Sequence, residues 1–374
     1  MLKERLNTDS TSFYEKVKSF DFLLVLTVLL LGIISSFAMY STDGGQILYH
    51  TKSHIIRFGI FFFLFLTLSF INPKVWHAIG YIFYFIVLSM LIWALYFGVT
   101  ASGSQRWIDL HIFNLQPSEL MKIAIIISFA KFYHRIQISE VNSIKNIIQP
   151  IVLLILPIFL VVAQPDLGTS ILIAGTGIAV MWLSGLNLKY FIYSFLLALV
   201  TTPFAISLLK PYQKLRVLTF FDPDRDPLGA GYQIIQSKIA VGSGGLFGKG
   251  FLKGTQSYLD FLPEKHTDFV FTLFSEEFGF FGSVILLLLY AILIYRISTI
   301  GFNCRSYFAK LYCFGFSSAI FIYIIINMSM VLGMLPIVGS PLPIMSYGGS
   351  SMLSTMIGLS IVMSCKIYRK ELIA

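Results

Sequence analysis

The residues best suited to chemistry lie in one stretch, residues 261–282, which reads FLPEKHTDFVFTLFSEEFGFFG. It leads from a polar loop into an apolar helix that we predict to continue to about Tyr295. Asp268 stands at the mouth of this helix, and Glu276 and Glu277 follow further in. An ionised carboxylate costs about 2.5–3.5 kcal/mol at the centre of a membrane-spanning helix, so such residues usually mark a functional site.

Asp268 is a candidate general base. Lys265 and His266 precede it at the predicted helix N-terminus, where backbone N–H groups and the helix dipole favour negative charge. Glu276 would lie about 12 Å deeper at 1.5 Å per residue, so these two carboxylates do not form the close pair of a glycosidase. A lone aspartate beside cations suits proton abstraction near an anionic substrate. The residues alone equally allow Thr267 or Asp268 to act only as a helix N-cap.

A second polar cluster is predicted within residues 99–122, where Pro117 suits a helix start. Glu119 and Lys122 are three residues apart, so they share a helix face and can form an ion pair. With Arg106 facing a phosphate group, this pair would form the polar wall of a substrate cavity inside the membrane. The alternative is an interfacial salt bridge that only anchors the helix end.

Two segments further along combine turn residues with polar groups. Asp166, in AQPDLGTS, is predicted to cap the helix that follows it. Residues 333–351 contain three prolines and no charge, which excludes a regular helix there. This segment suits either a re-entrant turn whose amides face a cavity or simply a tight loop.

The long segment 209–267 shows no metal or nucleotide motif. Asp222, Asp224 and Asp226 lack the glycine and the glutamate that an EF-hand requires at the later positions. The run GSGGLFGKG lacks the Ser or Thr that follows the lysine of a phosphate-binding P-loop. We therefore predict no metal site, and we predict a short surface helix over residues 233–240.

The composition is that of an integral membrane protein. Of the 374 residues, 56% are hydrophobic and 12% are charged, whereas soluble domains carry about 25% charged residues. The net charge of +9 is distributed between apolar runs rather than in one patch, which argues against nucleic-acid binding. Runs long enough to cross a bilayer are predicted at residues 22–40, 55–71, 77–98, 117–133, 147–163, 168–185, 189–208, 268–295, 309–333 and 348–368.

These runs predict an all-α integral membrane protein with about ten transmembrane helices. Lys and Arg are concentrated in the segments on one side, so the positive-inside rule places both termini in the cytoplasm. Residues 1–20 would be a cytoplasmic N-terminal segment and residues 21–374 a single polytopic membrane domain. Residues 209–267 would form a long extracytoplasmic loop between helices 7 and 8, with Asp268 on the outer side.

Four motifs together resemble the SEDS family (shape, elongation, division and sporulation): SQRWIDL…QPSELMKIA, AQPDLGTS, FLPEKHTDFVFT and PLPIMSYGGSS. The match covers about residues 107–363, and LPIVGSPLPIMSYGG is more similar to the RodA branch than to the division branch, FtsW. The resemblance implies a peptidoglycan glycosyltransferase of cell elongation and rod-shape maintenance. It would polymerise lipid II at the outer face of the bacterial cytoplasmic (inner) membrane and release undecaprenyl diphosphate. It also implies a class B penicillin-binding protein, a transpeptidase, and other elongation-complex proteins as partners.

The resemblance also assigns roles to residues. The essential aspartate of the HTDF motif falls on Asp268, the cavity Glu and Lys of PSExxK fall on Glu119 and Lys122, and the loop arginine before Trp falls on Arg106. Positive charge near a departing diphosphate stabilises the transition state, and the candidates for this role are Arg106, Lys122, Lys265 and Arg216. A divalent cation, Mg²⁺ or Mn²⁺, could replace some of these groups, although no cluster in the sequence demands one.

Two other functions fit parts of the sequence. A flippase for a lipid-linked cell-wall precursor could use the same cavity, but it would need polar residues at mid-depth on several helices. Apart from Glu276 and Glu277, and from Glu119, Lys122 and Lys131 in the fourth span, the charged residues of the predicted spans lie at the span ends. A non-catalytic scaffold for a cell-wall synthase would leave Asp268 and the Glu119–Lys122 pair without a role.

Overall fold

The computed structural model describes residues 13–101, 104–110, 114–208, 211–222, 225–226, 229–255, 262 and 264–373. The chain in these ranges is mainly helical. The helices are α1 (Phe13–Lys18), α2 (Phe22–Thr42), α3 (Tyr49–Leu68), α4 (Pro73–Phe97), α5 (Pro117–His134), α6 (Ile144–Ala163), α7 (Leu167–Leu183), α8 (Leu188–Leu208), α9 (Pro211–Phe221), α10 (Ala230–Ser243), α11 (Val270–Asn303), α12 (Tyr307–Val331) and α13 (Gly349–Ile367).

The predicted membrane bundle is confirmed. The ten predicted spans overlap helices α2–α8 and α11–α13. Within the described ranges, seven of these helices are long and apolar enough to cross a membrane, and α7 and the first part of α8 are shorter apolar helices. The remaining one, α5, carries three charged residues, Glu119, Lys122 and Lys131.

Helix α5 tolerates these charges because it lies inside the bundle. Every residue from Pro117 to Tyr133 is buried. The helix packs against α4, α6, α7, α12 and α13, so its polar side chains face other helices rather than lipid. A helix that is enclosed on all sides needs no polar face of its own. Its position at the centre makes α5 the element around which the polar cluster is built.

The first and last described helices end, near Lys16 and Tyr368, at the opposite side of the bundle from the segment that carries Asp268. Tyr368, at the end of α13, lies under the Lys16 ammonium group at 5.3 Å. At the start of the same helix, the Tyr347 amide donates to the His266 carbonyl at 2.8 Å. The 19 residues of α13 extend about 28 Å, nearly the thickness of the hydrocarbon core.

Helix α11 is interrupted at Gly279, where the backbone is left-handed (φ 65°, ψ −161°). The loop after α10 supplies the hydrogen bonds that the interruption removes. The amides of Lys249 and Gly250 donate to the carbonyls of Glu276 and Glu277, both at 3.0 Å, and the amides of Phe280 and Phe281 donate back to the loop at 2.9 and 3.1 Å. A broken helix is tolerated in a membrane where neighbouring protein satisfies its backbone in this way.

A small antiparallel sheet, which the sequence did not predict, follows α4. Strands β1 (Val99–Ala101), β2 (Ser104–Asp109) and β3 (Asn114–Leu115) pair in the order β1-β2-β3. This sheet positions Arg106 above the start of α5. The missed strands are two to six residues long, too short for a periodic pattern to reveal them.

The chain between α12 and α13 is irregular, and from Ile337 onward it is buried or half-buried. Its carbonyl groups are satisfied by side chains of surrounding helices. The Ser35 hydroxyl donates to the Ile344 and Met345 carbonyls at 3.0 and 3.1 Å, and the Tyr290 hydroxyl donates to the Pro343 carbonyl at 2.5 Å. The Tyr347 amide donates to the His266 carbonyl at 2.8 Å, so this amide is not available to face a cavity. The segment is therefore fixed in place mainly through its backbone carbonyl groups, which accept hydrogen bonds from these side chains.

The short helix predicted over residues 233–240 is present as α10, but it does not lie only on the membrane surface. Its Ser237 hydroxyl lies 2.9 Å from the Thr272 hydroxyl on α11 and donates to the Val331 carbonyl at the end of α12 at 2.8 Å. The long segment 209–267 is thus partly packed onto the bundle.

We expect Gly279→Ala to lower stability by at least about 1–3 kcal/mol, because this backbone region is essentially restricted to glycine. An added Cβ would also lie 2.3 Å from the Gly248 amide nitrogen. Thermal unfolding of the purified protein measures the effect.

Gly242→Ala is the matched control. Gly242 lies in α10, where an added Cβ meets nothing within 4 Å. Alanine in a helix is favoured over glycine by about 0.5–1 kcal/mol, so this variant should melt at or above the wild-type temperature. Equal melting temperatures for Gly279→Ala and Gly242→Ala would contradict the conclusion that the interruption of α11 requires glycine at position 279.

Candidate active site

Asp268 lies in the turn that leads into α11, where it is half-buried. The N-cap of α11 is Phe269, so neither Thr267 nor Asp268 occupies the capping position that was the alternative reading. The Asn327 side-chain amide donates to the Asp268 carbonyl at 3.0 Å and to the Ser340 carbonyl at 2.7 Å. Asn327 thereby fixes the turn against the irregular segment before α13.

The irregular segment approaches the carboxylate of Asp268 itself. A Cβ added at Gly339 would lie 3.4 Å from Oδ2 of Asp268, and Gly339 has a left-handed backbone (φ 70°). At Gly168, the second residue of α7, a Cβ would lie 1.9 Å from the Val338 carbonyl oxygen. The segment therefore passes between Asp268 and the start of α7.

The predicted ion pair in α5 is present and buried. The Lys122 ammonium group donates to Oε1 of Glu119 at 2.8 Å, and each side chain is 4% exposed. Tyr323 of α12 donates its hydroxyl to the same carboxylate at 3.1–3.2 Å, and its ring lies 4.1 Å from Lys122 Nζ. The partners that the two charged groups find in each other and in Tyr323 thus take the place of the water that both lose on burial.

One face of α12 connects this ion pair to Asp268. Tyr323 contacts Glu119, and Asn327 contacts the Asp268 carbonyl. Because Tyr323 and Asn327 are four residues apart, their side chains lie on the same face of the helix and about 6 Å apart along its axis. The predicted residues Asp268, Glu119 and Lys122 are therefore brought into one region by α12.

Arg106 binds a carboxylate. Its guanidinium lies 2.6 Å from Oδ2 of Asp166, and Gln116 donates to the same oxygen at 3.0 Å. Asp166 also caps α7, as predicted, by accepting from the Thr169 amide at 3.1 Å. The phosphate partner predicted for Arg106 is thus replaced in the structure by Asp166, which balances its charge.

The other two predicted cations are less completely defined. Lys265 is buried in the turn before Asp268. Arg216 lies in α9, but its side chain is outside the described part of the structure.

Glu276 and Glu277 bind the loop after α10. The Lys249 ammonium group lies 2.7 Å from Oε1 of Glu276. Glu277 accepts a hydrogen bond from the Ser41 hydroxyl and one from the Leu252 amide at 3.1 Å. These acids lie beside the interruption in α11, so their role is to bind the loop that satisfies it.

Sequence reasoning missed a cluster formed by Asp43, His50 and His266. Nδ1 of His50 lies 3.2 Å and Nε2 of His266 lies 3.4 Å from the same oxygen, Oδ1 of Asp43. The two imidazole rings stack with centroids 4.0 Å apart. The available signal was the polar run TDGGQILYHT between two apolar spans, which brings Asp43 and His50 to one helix hairpin.

Thr51 orients the carboxylate in this cluster. Its amide and its hydroxyl donate to Oδ2 of Asp43 at 2.8 and 2.6 Å. Burial alone would raise the pKa of Asp43, but the hydrogen bonds from Thr51 and His50 hold it below its ordinary value. Burial lowers the pKa of His266, the neighbouring His50 and Lys265 side chains lower it further, and Asp43 opposes them. Asp43 is therefore charged, and His266 neutral, at neutral pH.

An apolar groove of about 360 Å³ runs beside this cluster between α2 and α3. Gly32, Ser36 and Phe37 line it on α2, and Thr51 and Ile55 line it on α3. Thr51 belongs to both features, so the groove reaches the polar cluster that adjoins the Asp268 segment.

The fold and site define a polytopic membrane protein with buried ion pairs and a half-buried aspartate near one end of the bundle. A family model for the cell cycle proteins FtsW, RodA and SpoVE matches residues 17–371. The chain belongs to this family.

Relatives with curated names agree over nearly the whole chain. Peptidoglycan glycosyltransferase MrdB of Escherichia coli K12 is 42% identical over 368 residues, which cover 98% of each chain. Stage V sporulation protein E of Bacillus subtilis 168 is 32% identical and covers 95% of this chain and 99% of its own.

Two solved structures are similar. A chain from a study of how a peptidoglycan synthase complex coordinates polymerization and crosslinking superposes with a TM-score of 0.81 at 29% identity, covering 94% of this chain and 99% of its own. The rod shape determining protein RodA of Thermus thermophilus gives a TM-score of 0.71 at 25% identity and covers 94% and 98%.

We expect Lys122→Met to destabilise the protein by about 3–5 kcal/mol, since removing one partner leaves the other charge buried and unpaired. Adding Glu119→Gln should restore much of that loss. Thermal unfolding of the two single variants and the double variant measures the coupling.

Lys131→Met provides the control on the same helix, because Lys131 donates to the Ala78 carbonyl at 2.8 Å. Its effect should add to that of Glu119→Gln without rescue. If the losses of stability caused by Glu119→Gln and Lys122→Met also simply added in the double variant, the ion pair would not be the main interaction of either residue.

Proposed function

We propose that this chain is a peptidoglycan glycosyltransferase of cell elongation that polymerises lipid II at the outer face of the bacterial cytoplasmic membrane. The observation that carries the proposal is its likeness to MrdB over almost the whole chain. The link that Tyr323 and Asn327 of α12 make between the buried Glu119–Lys122 pair and the Asp268 turn supports it. The reaction would release undecaprenyl diphosphate.

Asp268 is the proposed general base. Its carboxylate would take the proton of the acceptor 4-hydroxyl while that oxygen forms a bond to the anomeric carbon of the donor. The bond from this carbon to the diphosphate breaks, and the leaving group keeps the electron pair. Because an α-linked donor gives a β-linked product, a single displacement with inversion accounts for the stereochemistry.

We assign the four predicted cations to two roles. Arg106 and Lys122 are paired with Asp166 and Glu119, so we assign them mainly to the shape and polarity of the substrate-binding cavity. Lys265 and Arg216 are the remaining candidates for the departing diphosphate, where positive charge stabilises the transition state. Glu119 belongs to the cavity as the partner of Lys122.

The groove between α2 and α3 is the proposed site for the prenyl chain of the substrate. It is lined almost entirely by apolar groups, and burial of apolar surface stabilises binding by about 25 cal/mol per Å². Its contact with Thr51 places the groove next to the polar cluster, as an amphipathic lipid substrate requires.

The proposed partners are a class B penicillin-binding protein, which supplies transpeptidation, and other proteins of the elongation complex. The similarity to a chain of a peptidoglycan synthase complex supports this assignment. The protein would reside in the inner membrane with both termini in the cytoplasm. Contacts of Lys16 with Tyr368 and of Lys74 with Glu371 support placing the two termini on one side.

We predict that Asp268→Asn lowers polymerisation of labelled lipid II at least about 100-fold, because a general base contributes about 10²–10⁴ to the rate. The assay uses purified protein with its class B partner, and glycan chains are resolved by gel. Partner binding, measured by co-purification, should be unchanged.

Asp222→Asn is the control, because Asp222 is exposed and pairs with Arg225 at the surface. It should polymerise normally. Polymerisation retained by Asp268→Asn would remove Asp268 from the mechanism. Head-group translocation by this protein alone in liposomes, without glycan chains, would favour the flippase.

We predict that Ser36→Phe raises the KM for lipid II about tenfold with little change in kcat. Filling the groove would displace about 60 Å² of apolar contact, equivalent to about 1.5 kcal/mol. Steady-state polymerisation over a range of lipid II concentrations measures both constants.

Ser89→Phe is the comparison variant, since Ser89 is exposed on α4 and donates to a carbonyl four residues earlier, as Ser36 does. Its KM should equal that of the wild type. Identical KM values for the two variants would place the prenyl chain elsewhere.

A further inference from the structure

The cluster of Asp43, His50 and His266 has the composition of a metal site. One carboxylate oxygen and two imidazole nitrogens lie within 4.8 Å of one another. They come from the end of α2, the start of α3 and the turn before α11, so the fold brings together three separate parts of the chain. Two histidines and one carboxylate form a common ligand set for divalent transition metals.

The two distances from the Asp43 carboxylate to the histidines fit one shared cation. Ligands 2.0–2.1 Å from a tetrahedral zinc ion lie about 3.3–3.4 Å from each other. The distances from Oδ1 of Asp43 are 3.2 Å to Nδ1 of His50 and 3.4 Å to Nε2 of His266. Both agree with that value.

The hydrogen bonds made by the three side chains leave Oδ1 of Asp43 and Nε2 of His266 available to bind a metal ion. Thr51 holds Oδ2 of Asp43 with two hydrogen bonds, which leaves Oδ1 directed at the histidines. Nε2 of His266 is buried and makes no hydrogen bond, although it lies near that oxygen. Such outer contacts to a ligating carboxylate are typical of metal sites.

We propose that Asp43, His50 and His266 bind a divalent transition-metal ion that ties the α2–α3 hairpin to the turn carrying Asp268. The donor set favours zinc over magnesium or manganese, because imidazole nitrogens suit zinc and the other two ions prefer oxygen ligands. The ion would act as a positioning element for the turn, since His266 is two residues before Asp268. The site goes beyond the proposed polymerase activity and does not depend on it.

The test measures metal directly on the full-length protein, purified without a polyhistidine tag and treated with a chelator. Zn²⁺ is the first probe, with bound metal determined by mass spectrometry after gel filtration. Co²⁺ is the second, because a site with nitrogen and oxygen ligands gives visible ligand-field bands. We expect one ion per wild-type chain and one per Asp268→Asn chain.

His50→Ala and His266→Gln should each lose the ion and the Co²⁺ bands. His50 is the safer variant, since its side chain is 40% exposed. Thr51→Val should keep the ligands but weaken affinity about 10–100-fold, as loss of an outer-shell contact does. His134→Gln, at the other end of the bundle, should bind as the wild type does.

Wild-type protein that binds no more Zn²⁺ than His50→Ala would overturn the proposal. The cluster would then be a carboxylate that accepts hydrogen bonds from stacked histidines. Loss of metal from His134→Gln as well would place the ion elsewhere and also overturn it. Because Asp268→Asn is scored for metal and for polymerisation separately, failure of one proposal leaves the other testable.

Discussion

Backbone amides and carbonyls inside a membrane must find partners within the protein, since no water is present there to bind them. Two departures from helix in this protein meet that requirement in different ways. At Gly279 the loop after α10 adds backbone hydrogen bonds to both sides of the interruption in α11. Between α12 and α13, the side chains of Ser35, Tyr290 and Asn327 bind the carbonyls of the irregular segment.

Buried charges in this protein likewise have partners within the protein. Glu119 with Lys122, Asp166 with Arg106, and Glu276 with Lys249 are each paired across short distances. Pairing offsets the desolvation cost of burying these groups and leaves little net charge inside the bundle. The irregular segment passes close to the Asp268 carboxylate at Gly339, so the proposed base is positioned by buried chain rather than by a flexible loop.

Much of the fold was predictable because the signal is hydrophobicity over about 20 residues, which the bilayer imposes on each span. The ion pair of α5 was also predictable, since residues three apart in a helix share a face. The partner of Arg106 was not, because Asp166 is sixty residues away and its approach depends on tertiary packing. Asp43 and His50 were missed for the same reason: their relation to His266 arises only when three distant segments meet. The break at Gly279 left no pattern in an otherwise apolar run.

The interruption of α11 has a mechanical consequence. The half of the helix that follows Asp268 is joined to the loop after α10 through the carbonyls of Glu276 and Glu277 and through the Lys249 side chain. Moving that loop away from the bundle therefore requires breaking these bonds or carrying the half-helix with it. A protein that binds this loop outside the lipid and displaces it would therefore also displace the helix that follows Asp268, without entering the bilayer.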